Sequence, residues 1–426
     1  MAVVQTLALA MPNRKPIWDN LKTEFQTVAE DYSLADSRDY SLAAIDLCSN
    51  SSALMDFSGN EGLANVLNMA ASSLTGPPQV YAFESFANIA GKEGCPQYEM
   101  WANEDTMTLI YTNANSLIKL VMTEASDEEP GSSLPYGMPE TETTQEELTA
   151  KYLAAIQANS LAALASLCAA PQGRPECNVP GRFSNLMAKL AAMPWAPKAK
   201  EVASAAATQG CPNLPVCIWN NDTAVEVLVA HARGQDNNLQ VIALRGLGNL
   251  VKATDVRLPF WTEEHRQDAK HAILYAARLL PHHEENERPR QEGLCALRNE
   301  ASDQDGPNGE ANTTALRVLM LKGDDGESTL HALVQGAGLE GLGNWEAKSC
   351  ALEAIMYLAR ARDNQRGMLD YEGLVPALVE ASDERGVSGL LGKARFYATA
   401  ALQELSKHEG NKKDMWAGAT ATEIRQ

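Results

Sequence analysis

"AVEVLVAHARGQDNNLQVIALRGLGNLVKATDVRLPFW" runs from Ala224 to Trp261. It reads as a short apolar segment, a polar gap, a longer apolar segment, a polar link and a terminal tryptophan. In the longer segment, Leu244, Leu247 and Val251 follow one another at three- and four-residue steps, which places them on one face of an α-helix. The stretch therefore predicts two amphipathic helices followed by a junction.

The same pattern occurs in three other stretches of the chain. They begin at Gly62, Thr329 and Leu374 and end at Trp101, Leu369 and Trp416. Corresponding positions are separated by about 40–47 residues, a length typical of helical repeats. Because one helix pair cannot bury both of its apolar faces, stacked repeats must complete the core. We predict an all-α protein, a right-handed α-solenoid of about eight repeats that forms a single domain over residues 1–426.

A large apolar side chain closes each copy of the pattern. We predict that these side chains fill the junctions between successive repeats. The predicted junction residues are Phe57, Trp101, Trp219, Trp261, Leu369 and Trp416.

Polar stretches interrupt the repeats. Residues 123–147 contain eight acidic side chains but no lysine or arginine, together with prolines and glycines, which predicts a flexible acidic insertion. Glycine and proline near residues 298–312 and 322–328 predict two further loops. The region 270–312 departs most from the repeat pattern.

Composition narrows the classes of function. The formal net charge of −20 argues against nonspecific binding to nucleic acids or anionic membranes, since both require a positive surface. No segment reaches the roughly 18 continuous apolar residues of a transmembrane helix, so membrane insertion is not expected. We expect a soluble cytoplasmic protein, with an organelle as an open alternative. Its eight scattered cysteines are expected to be mostly reduced thiols.

The repeat pattern resembles the armadillo-repeat family. The resemblance rests on the spacing A-x-x-A-L-x-x-L in the long helix, the polar link after it, and the opening "GLVPALV" at Gly373–Val379. HEAT repeats are the close alternative, since the two classes have similar lengths. The resemblance concerns the fold and implies no particular member of the family.

Residues that could carry chemistry form no convergent set in the sequence. There is no G-x-x-x-x-G-K-[ST], G-x-S-x-G or H-E-x-x-H motif. His282 and His283 are adjacent, and consecutive side chains on a helix point about 100° apart, so they are poorly placed to share a metal ion. We expect no catalytic residue, no metal site and no cofactor.

The armadillo resemblance implies a set of binding residues. In members that bind extended peptides, the third helix of each repeat lines a concave groove, and asparagines near its end hydrogen-bond the peptide backbone. Asn88 and Asn249 match that position, whereas Tyr357 and Glu404 depart from it. The tryptophan found four residues earlier in nuclear-import adaptors is replaced by Glu84 and Arg245, which puts that function in doubt.

Positive side chains lie near one of these asparagines. Arg245, Lys252 and Arg257 lie close together around one repeat and could receive an acidic partner segment, although ordinary solvated helix faces are the alternative. The predicted groove residues are Asn88, Arg245, Asn249, Lys252 and Tyr357.

These observations favour a non-enzymatic scaffold or adaptor. It would bind a protein partner or peptide segment, either alone or as a subunit of a larger assembly. Two alternatives remain open: an armadillo-type co-chaperone that binds unfolded clients, and an enzyme with a site in the divergent region 270–312.

Overall fold

The computed structural model describes residues 45, 61–72, 76–91, 95–114, 145–170, 214–279, 286–303, 309–322, 325–340, 344–383, 390–412 and 414–415. These residues form α-helices, one short 3₁₀ turn and the links between them, and no strand occurs among them. The predicted all-α class is therefore confirmed. The chain divides into two compact units, residues 1–212 and 213–426. The prediction of a single domain remains a prediction.

The first unit contains five described helices. They are α1 (Glu61–Ala71), α2 (Pro77–Ala90), α3 (Cys95–Ala102), α4 (Glu104–Ala114) and α5 (Gln145–Leu167). α2 packs on α1 and α5, while α4 packs on α1, α3 and α5. The order of a short helix α3, a medium helix α4 and a long helix α5 makes one complete repeat, and α1 and α2 are the second and third helices of the repeat before it.

The described residues of the second unit form four complete three-helix repeats. The first helices are α6 (Leu214–Trp219), α9 (Thr254–Thr262), α12 (Gly309–Lys322) and α15 (Arg362–Leu369). The second helices are α7 (Asp222–Ala232), α10 (Gln267–Ala277), α13 (Gly326–Ala337) and α16 (Leu374–Asp383). The third helices are α8 (Asn237–Leu250), α11 (Glu287–Ala301), α14 (Trp345–Arg360) and α17 (Leu390–Ser406).

Helices of the same kind pack on each other in rows. Each third helix contacts the next, from α8 through α11 and α14 to α17, and the first and second helices form corresponding rows. Three parallel rows of short, medium and long helices are the armadillo-like arrangement of an α-solenoid. The resemblance noted in the sequence is therefore confirmed at the level of the fold.

Local sequence explains where the helices begin. The Asn221 side chain accepts a hydrogen bond from the backbone N–H of Ala224 (3.0 Å) and so caps α7. The Asp236 carboxylate does the same for α8, accepting from the N–H groups of Asn238 and Leu239. Such caps satisfy donors that have no partner inside the helix.

A buried polar side chain recurs near the start of the third helices. Gln240 on α8 donates from Nε2 to the carbonyl of Ala232 at the end of α7 (3.0 Å), and Gln79 on α2 donates in the same way to Ala71 (2.8 Å). Arg290 on α11 donates to the carbonyl of Leu279 after α10 (3.3 Å). These bonds satisfy carbonyls at helix ends and fix the register of the second and third helices.

A second set of buried amides joins one repeat to the next. Asn364 on α15 donates to the carbonyls of Leu358 (3.1 Å) and Arg317 (2.8 Å), which lie on α14 and α12. Asn411, which follows α17, donates in the same pattern to Leu405 (3.0 Å) and Gln365 (2.9 Å). Each amide therefore holds the segment that carries it against both the first helix and the third-helix end of the preceding repeat.

Helices cover the ends of two predicted loops. Residues 298–301 complete α11 and residues 309–312 begin α12. The helix α11 continues to Ala301 because Leu297 and Ala301 are buried at a four-residue spacing. In the loop predicted near 322–328, Lys322 still belongs to α12 and α13 already begins at Gly326. Most of the acidic insertion at 123–147 lies outside the described residues.

The cysteines depart from the expectation. Cys295 on α11 and Cys350 on α14 form a disulfide with a Cα–Cα distance of 5.1 Å. The expectation of reduced thiols is therefore wrong for this pair, because neighbouring third helices bring the two side chains together. Cys168 is a free, buried thiol, and burial raises its pKa above the ordinary value.

The predicted junction residues lie at the ends of first helices wherever they are described. Trp219 is the last residue of α6, Trp261 is the penultimate residue of α9, and both are buried. Trp101 on α3 is half-buried and meets the Tyr111 ring edge-on, with centroids 6.5 Å apart. Leu369 ends α15 and is half-buried. Phe57 and Trp416 lie outside the described residues.

Candidate partner-binding surface

Equivalent positions on the third helices can be assigned from the buried polar residue near the helix start. Asn249 follows Gln240 on α8 by nine residues, and Asn299 follows Arg290 on α11 by the same interval. Tyr357 on α14 and Glu404 on α17 occupy the corresponding positions. In the first unit, Asn88 follows Gln79 on α2 in the same way and is half-buried.

Two neighbouring third helices therefore carry asparagine at the same position. The Lys252 ammonium donates to Asn249 Oδ1 (2.8 Å). Asn299 Nδ2 donates to the carbonyl of Gly248 on α8 (3.0 Å), and its Oδ1 accepts from Arg298 Nη2 (2.9 Å). These bonds orient both amides at the contact between α8 and α11.

Three cations lie on the two helices that carry the amides or directly after one of them. Arg245 on α8 donates from both Nε (3.0 Å) and Nη2 (2.7 Å) to Glu292 Oε1 on α11. Arg298 lies 3.9 Å from Glu353 Oε2 on α14. We call Arg245, Asn249, Lys252, Glu292, Arg298 and Asn299 the α8–α11 patch.

Of the charged groups that act on Lys252, two are positive and one is negative. Its pKa lies below the ordinary value, first because the side chain is partly buried and then because Arg298 and Arg245 repel the ammonium. Glu292 acts in the opposite direction but is outweighed. The α8–α11 patch is thus locally positive in a chain that is strongly acidic overall.

Tyr357 belongs to a different cluster. The guanidinium groups of Arg317 and Arg360 lie over its ring, with Cζ atoms 5.4 and 5.0 Å from the ring centroid. Asp303 links the two arginines, accepting from Arg317 Nη2 (2.7 Å) and from Arg360. Although partial burial opposes ionisation of Asp303, these hydrogen bonds and charges hold its pKa below the usual value.

Glu353 connects this cluster to the disulfide. It accepts from the Tyr357 hydroxyl (3.4 Å) and from the Tyr397 hydroxyl on α17. Arg298 Nη1 lies 3.4 Å from Cys350 Sγ, so the disulfide borders the α8–α11 patch. Beyond the patch, the third-helix surface is therefore held by internal bonds between α11, α14 and α17.

The structure brings together only some of the predicted groove residues. Arg245, Asn249 and Lys252 lie in one patch, Tyr357 lies in the arginine cluster, and Asn88 belongs to the first unit. Arg257, also noted in the sequence, is buried and donates from Nε to the carbonyl of Val251 (2.9 Å) and from Nη1 to that of Ser302 (2.8 Å). It connects two repeats and is not part of the surface.

Sequence reasoning missed Asn299 and Arg298. Both lie in the region 270–312, which departs from the general repeat pattern. The usable signal was "LCALRNEA" (Leu294–Ala301), in which Leu294, Leu297 and Ala301 have helical spacing and Asn299 precedes the helix end as Asn249 does.

A buried acid lies behind this surface. Glu300 on α11 has no measurable exposure and lies near the Arg257 guanidinium and the Trp261 indole. Burial raises its pKa well above the ordinary value, and Arg257 only partly offsets that effect. The carboxyl is therefore protonated well above the pH at which an exposed glutamate ionises.

We expect this acid to make stability depend on pH. Below a pH of about 4.3 the carboxyl is protonated in both states; above it, the unfolded chain ionises while the folded chain keeps the proton. Its contribution therefore falls as pH rises, by at most about 1.4 kcal/mol per unit. Glu300→Gln should be more stable than the wild type at pH 7–8 but not at pH 4, in chemical denaturation experiments.

The exposed Glu226 on α7 supplies a matched control for this experiment. Glu226→Gln should leave the pH dependence of unfolding close to that of the wild type. Parallel pH curves for wild type and Glu300→Gln would show that the acid is ionised in the folded protein.

Within the described parts of the chain, no group of three or more His, Cys, Asp or Glu side chains is arranged to hold a metal ion. Among the helices described, none combines the length and apolar character needed to cross a bilayer.

No protein-family model and no curated protein matches the sequence. Similar solved structures include two engineered proteins from the Northeast Structural Genomics Consortium. They are 16% and 15% identical with TM-scores of 0.44 and 0.47, and the matches cover 80% and 81% of this chain and 95% and 99% of theirs.

A third similar structure is described as a computationally designed armadillo repeat protein for modular peptide recognition. It is 13% identical with a TM-score of 0.43, and the match covers 79% of this chain and 98% of that one. Because all three TM-scores are below 0.5, neither the family nor the function of this chain follows from them.

Proposed function

We propose that this protein is a non-enzymatic scaffold that binds an extended segment of a partner protein on the third-helix surface of its second unit. The observation that carries the proposal is the pair Asn249 and Asn299, which occupy the same position on adjacent helices. An amide both donates and accepts hydrogen bonds, so two amides one repeat apart can bind successive peptide units irrespective of their side chains.

The surrounding contacts support this role. Asn299 donates one amide N–H to the carbonyl of Gly248 and so holds α11 against α8. The amide nitrogen carries a second N–H, which can donate to a carbonyl of the ligand. The bonds from Lys252 and Arg298 hold the amide oxygens in defined directions. Preorganised groups of this kind bind with a smaller loss of side-chain entropy.

The test uses the full-length protein recovered from its own cells with a lysine-reactive crosslinker. We expect crosslinks from Lys252 to one stoichiometric partner, and we expect the double variant Asn249→Ala/Asn299→Ala to lose that partner. Glu226→Ala, an exposed position on the second helix α7, is the control and should retain it. Retention of the partner by the double variant would overturn the proposal.

The same experiment separates the alternatives. Many substoichiometric partners, unaffected by the asparagine substitutions, would favour the co-chaperone. An enzyme site in region 270–312 is less well supported, because α10, α11 and the start of α12 give that region the same helical repeat as its neighbours. Several stoichiometric partners recovered together would instead favour a subunit of a larger assembly.

A further inference from the structure

The charges of the α8–α11 patch indicate the chemistry of the segment it binds. Arg245 and Lys252 are exposed, and Arg298 retains about a third of its side-chain exposure. Lys252 and Arg298 hydrogen-bond the amides of Asn249 and Asn299, and Arg245 lies one helical turn before Asn249 on α8. A ligand that contacts the two amides therefore lies close to Lys252 and Arg298.

Glu292 does not balance this charge. Its carboxylate accepts both hydrogen bonds from Arg245 and is only 18% exposed. The negative charge of Glu292 is therefore paired with Arg245. With three cations and one carboxylate, the six residues carry a net positive charge. A carboxylate placed near Lys252 and Arg298 would relieve the repulsion between them.

Carboxylates border the patch on the side of α14. The Glu346 carboxylate accepts from Gln291 Nε2 (2.8 Å), and Glu353 faces Arg298 and two tyrosine hydroxyls. A ligand that contacts the patch through an acidic residue therefore has that residue where it meets α8 and α11.

We propose that the bound segment is an acidic peptide whose aspartate or glutamate side chain contacts Lys252 and Arg298 while its backbone contacts Asn249 and Asn299. This inference rests on the proposed function and adds the class of ligand. A nucleic acid fits less well, because the patch is bordered by carboxylates and nucleic-acid surfaces require extended positive charge.

A displayed library of random 12-residue peptides, selected on the immobilised full-length protein, tests the inference. The wild type should enrich peptides with one or two central acidic residues. In solution, an enriched peptide should bind at least about tenfold more tightly than its Asn/Gln counterpart, and added salt should reduce the difference. The Lys252→Glu variant should bind the acidic peptide with about tenfold lower affinity. In a new selection on this variant, peptides with basic residues should be enriched.

The control is Lys393→Glu, an exposed position on α17 outside the patch, which should bind like the wild type. Thermal unfolding of the Lys252→Glu variant separates a loss of binding from a loss of folding. Enriched peptides that depend on Asn249 and Asn299 but show no acidic preference would overturn the inference and leave the proposed function standing.

Two other results are decisive. If no peptide is enriched above the bare support, both the inference and the proposed function fail. If a single-stranded oligonucleotide displaces the acidic peptide and itself binds more tightly at the same ionic strength, the patch is a general polyanion site and the peptide inference fails.

Discussion

Replacing Trp219 with alanine is expected to lower the free energy of unfolding of the second unit by about 3–5 kcal/mol. The side chain is 2% exposed, and its ring packs on Phe260 with centroids 5.5 Å apart. Its indole N–H donates to Glu263 Oε2 (3.0 Å), a residue that follows the first helix of the next repeat. The substitution would therefore leave a cavity at the contact between two repeats.

A contact with Arg266 increases the cost. The Arg266 guanidinium lies over the indole at 5.3 Å, and the alanine variant loses this contact. Chemical denaturation of the full-length protein measures the effect. Trp219→Phe should cost less, because it keeps most of the packing. Trp101→Ala, at a half-buried position in the first unit, should also cost less. A loss below about 1 kcal/mol for Trp219→Ala, as in surface substitutions, would show that Trp219 does not hold the junction.

Reduction of the Cys295–Cys350 disulfide is expected to lower the free energy of unfolding by about 2–4 kcal/mol. The bond closes a loop with a sequence separation of 55 residues and links two neighbouring third helices. Opening it restores conformational freedom to the unfolded chain and removes a covalent link within the third-helix row. Denaturation with and without dithiothreitol measures the change.

A variant separates this bond from others in the chain. Cys217 is also disulfide-bonded, so the reductant acts at more than one place. In Cys295→Ala/Cys350→Ala, the remaining effect of dithiothreitol belongs to the other bonds. If the reductant destabilises this variant as much as the wild type, the Cys295–Cys350 bond contributes nothing to stability.

The helices with regular apolar spacing could be predicted from sequence, whereas the contacts between repeats could not. Leu244, Leu247 and Leu250 lie on one buried face of α8, as their spacing indicates. Asn364 and Asn411, in contrast, read as ordinary polar residues. Their burial follows from the position of the preceding first helix, which no local pattern reveals.

Part of the candidate site could likewise be predicted from sequence, and part could not. Asn249 and Lys252 are close in sequence and lie together, so a local pattern sufficed. Asn299 and the disulfide required an alignment of repeats whose lengths differ. Tyr357 lies with Arg317, which comes from the first helix of the same repeat and is distant in sequence. Long-range pairing decided which side chains share a surface.

The buried amides that join the repeats also determine how the second unit would respond to a pulling force. Asn411 holds Gln365 on α15, and Asn364 holds Arg317 on α12. When one repeat detaches, the hydrogen bonds donated by its asparagine amide break together. The corresponding hydrogen bonds of the neighbouring repeat are still intact at that point. Under tension the unit should therefore lengthen in discrete steps of one repeat, and not by gradual stretching of the whole.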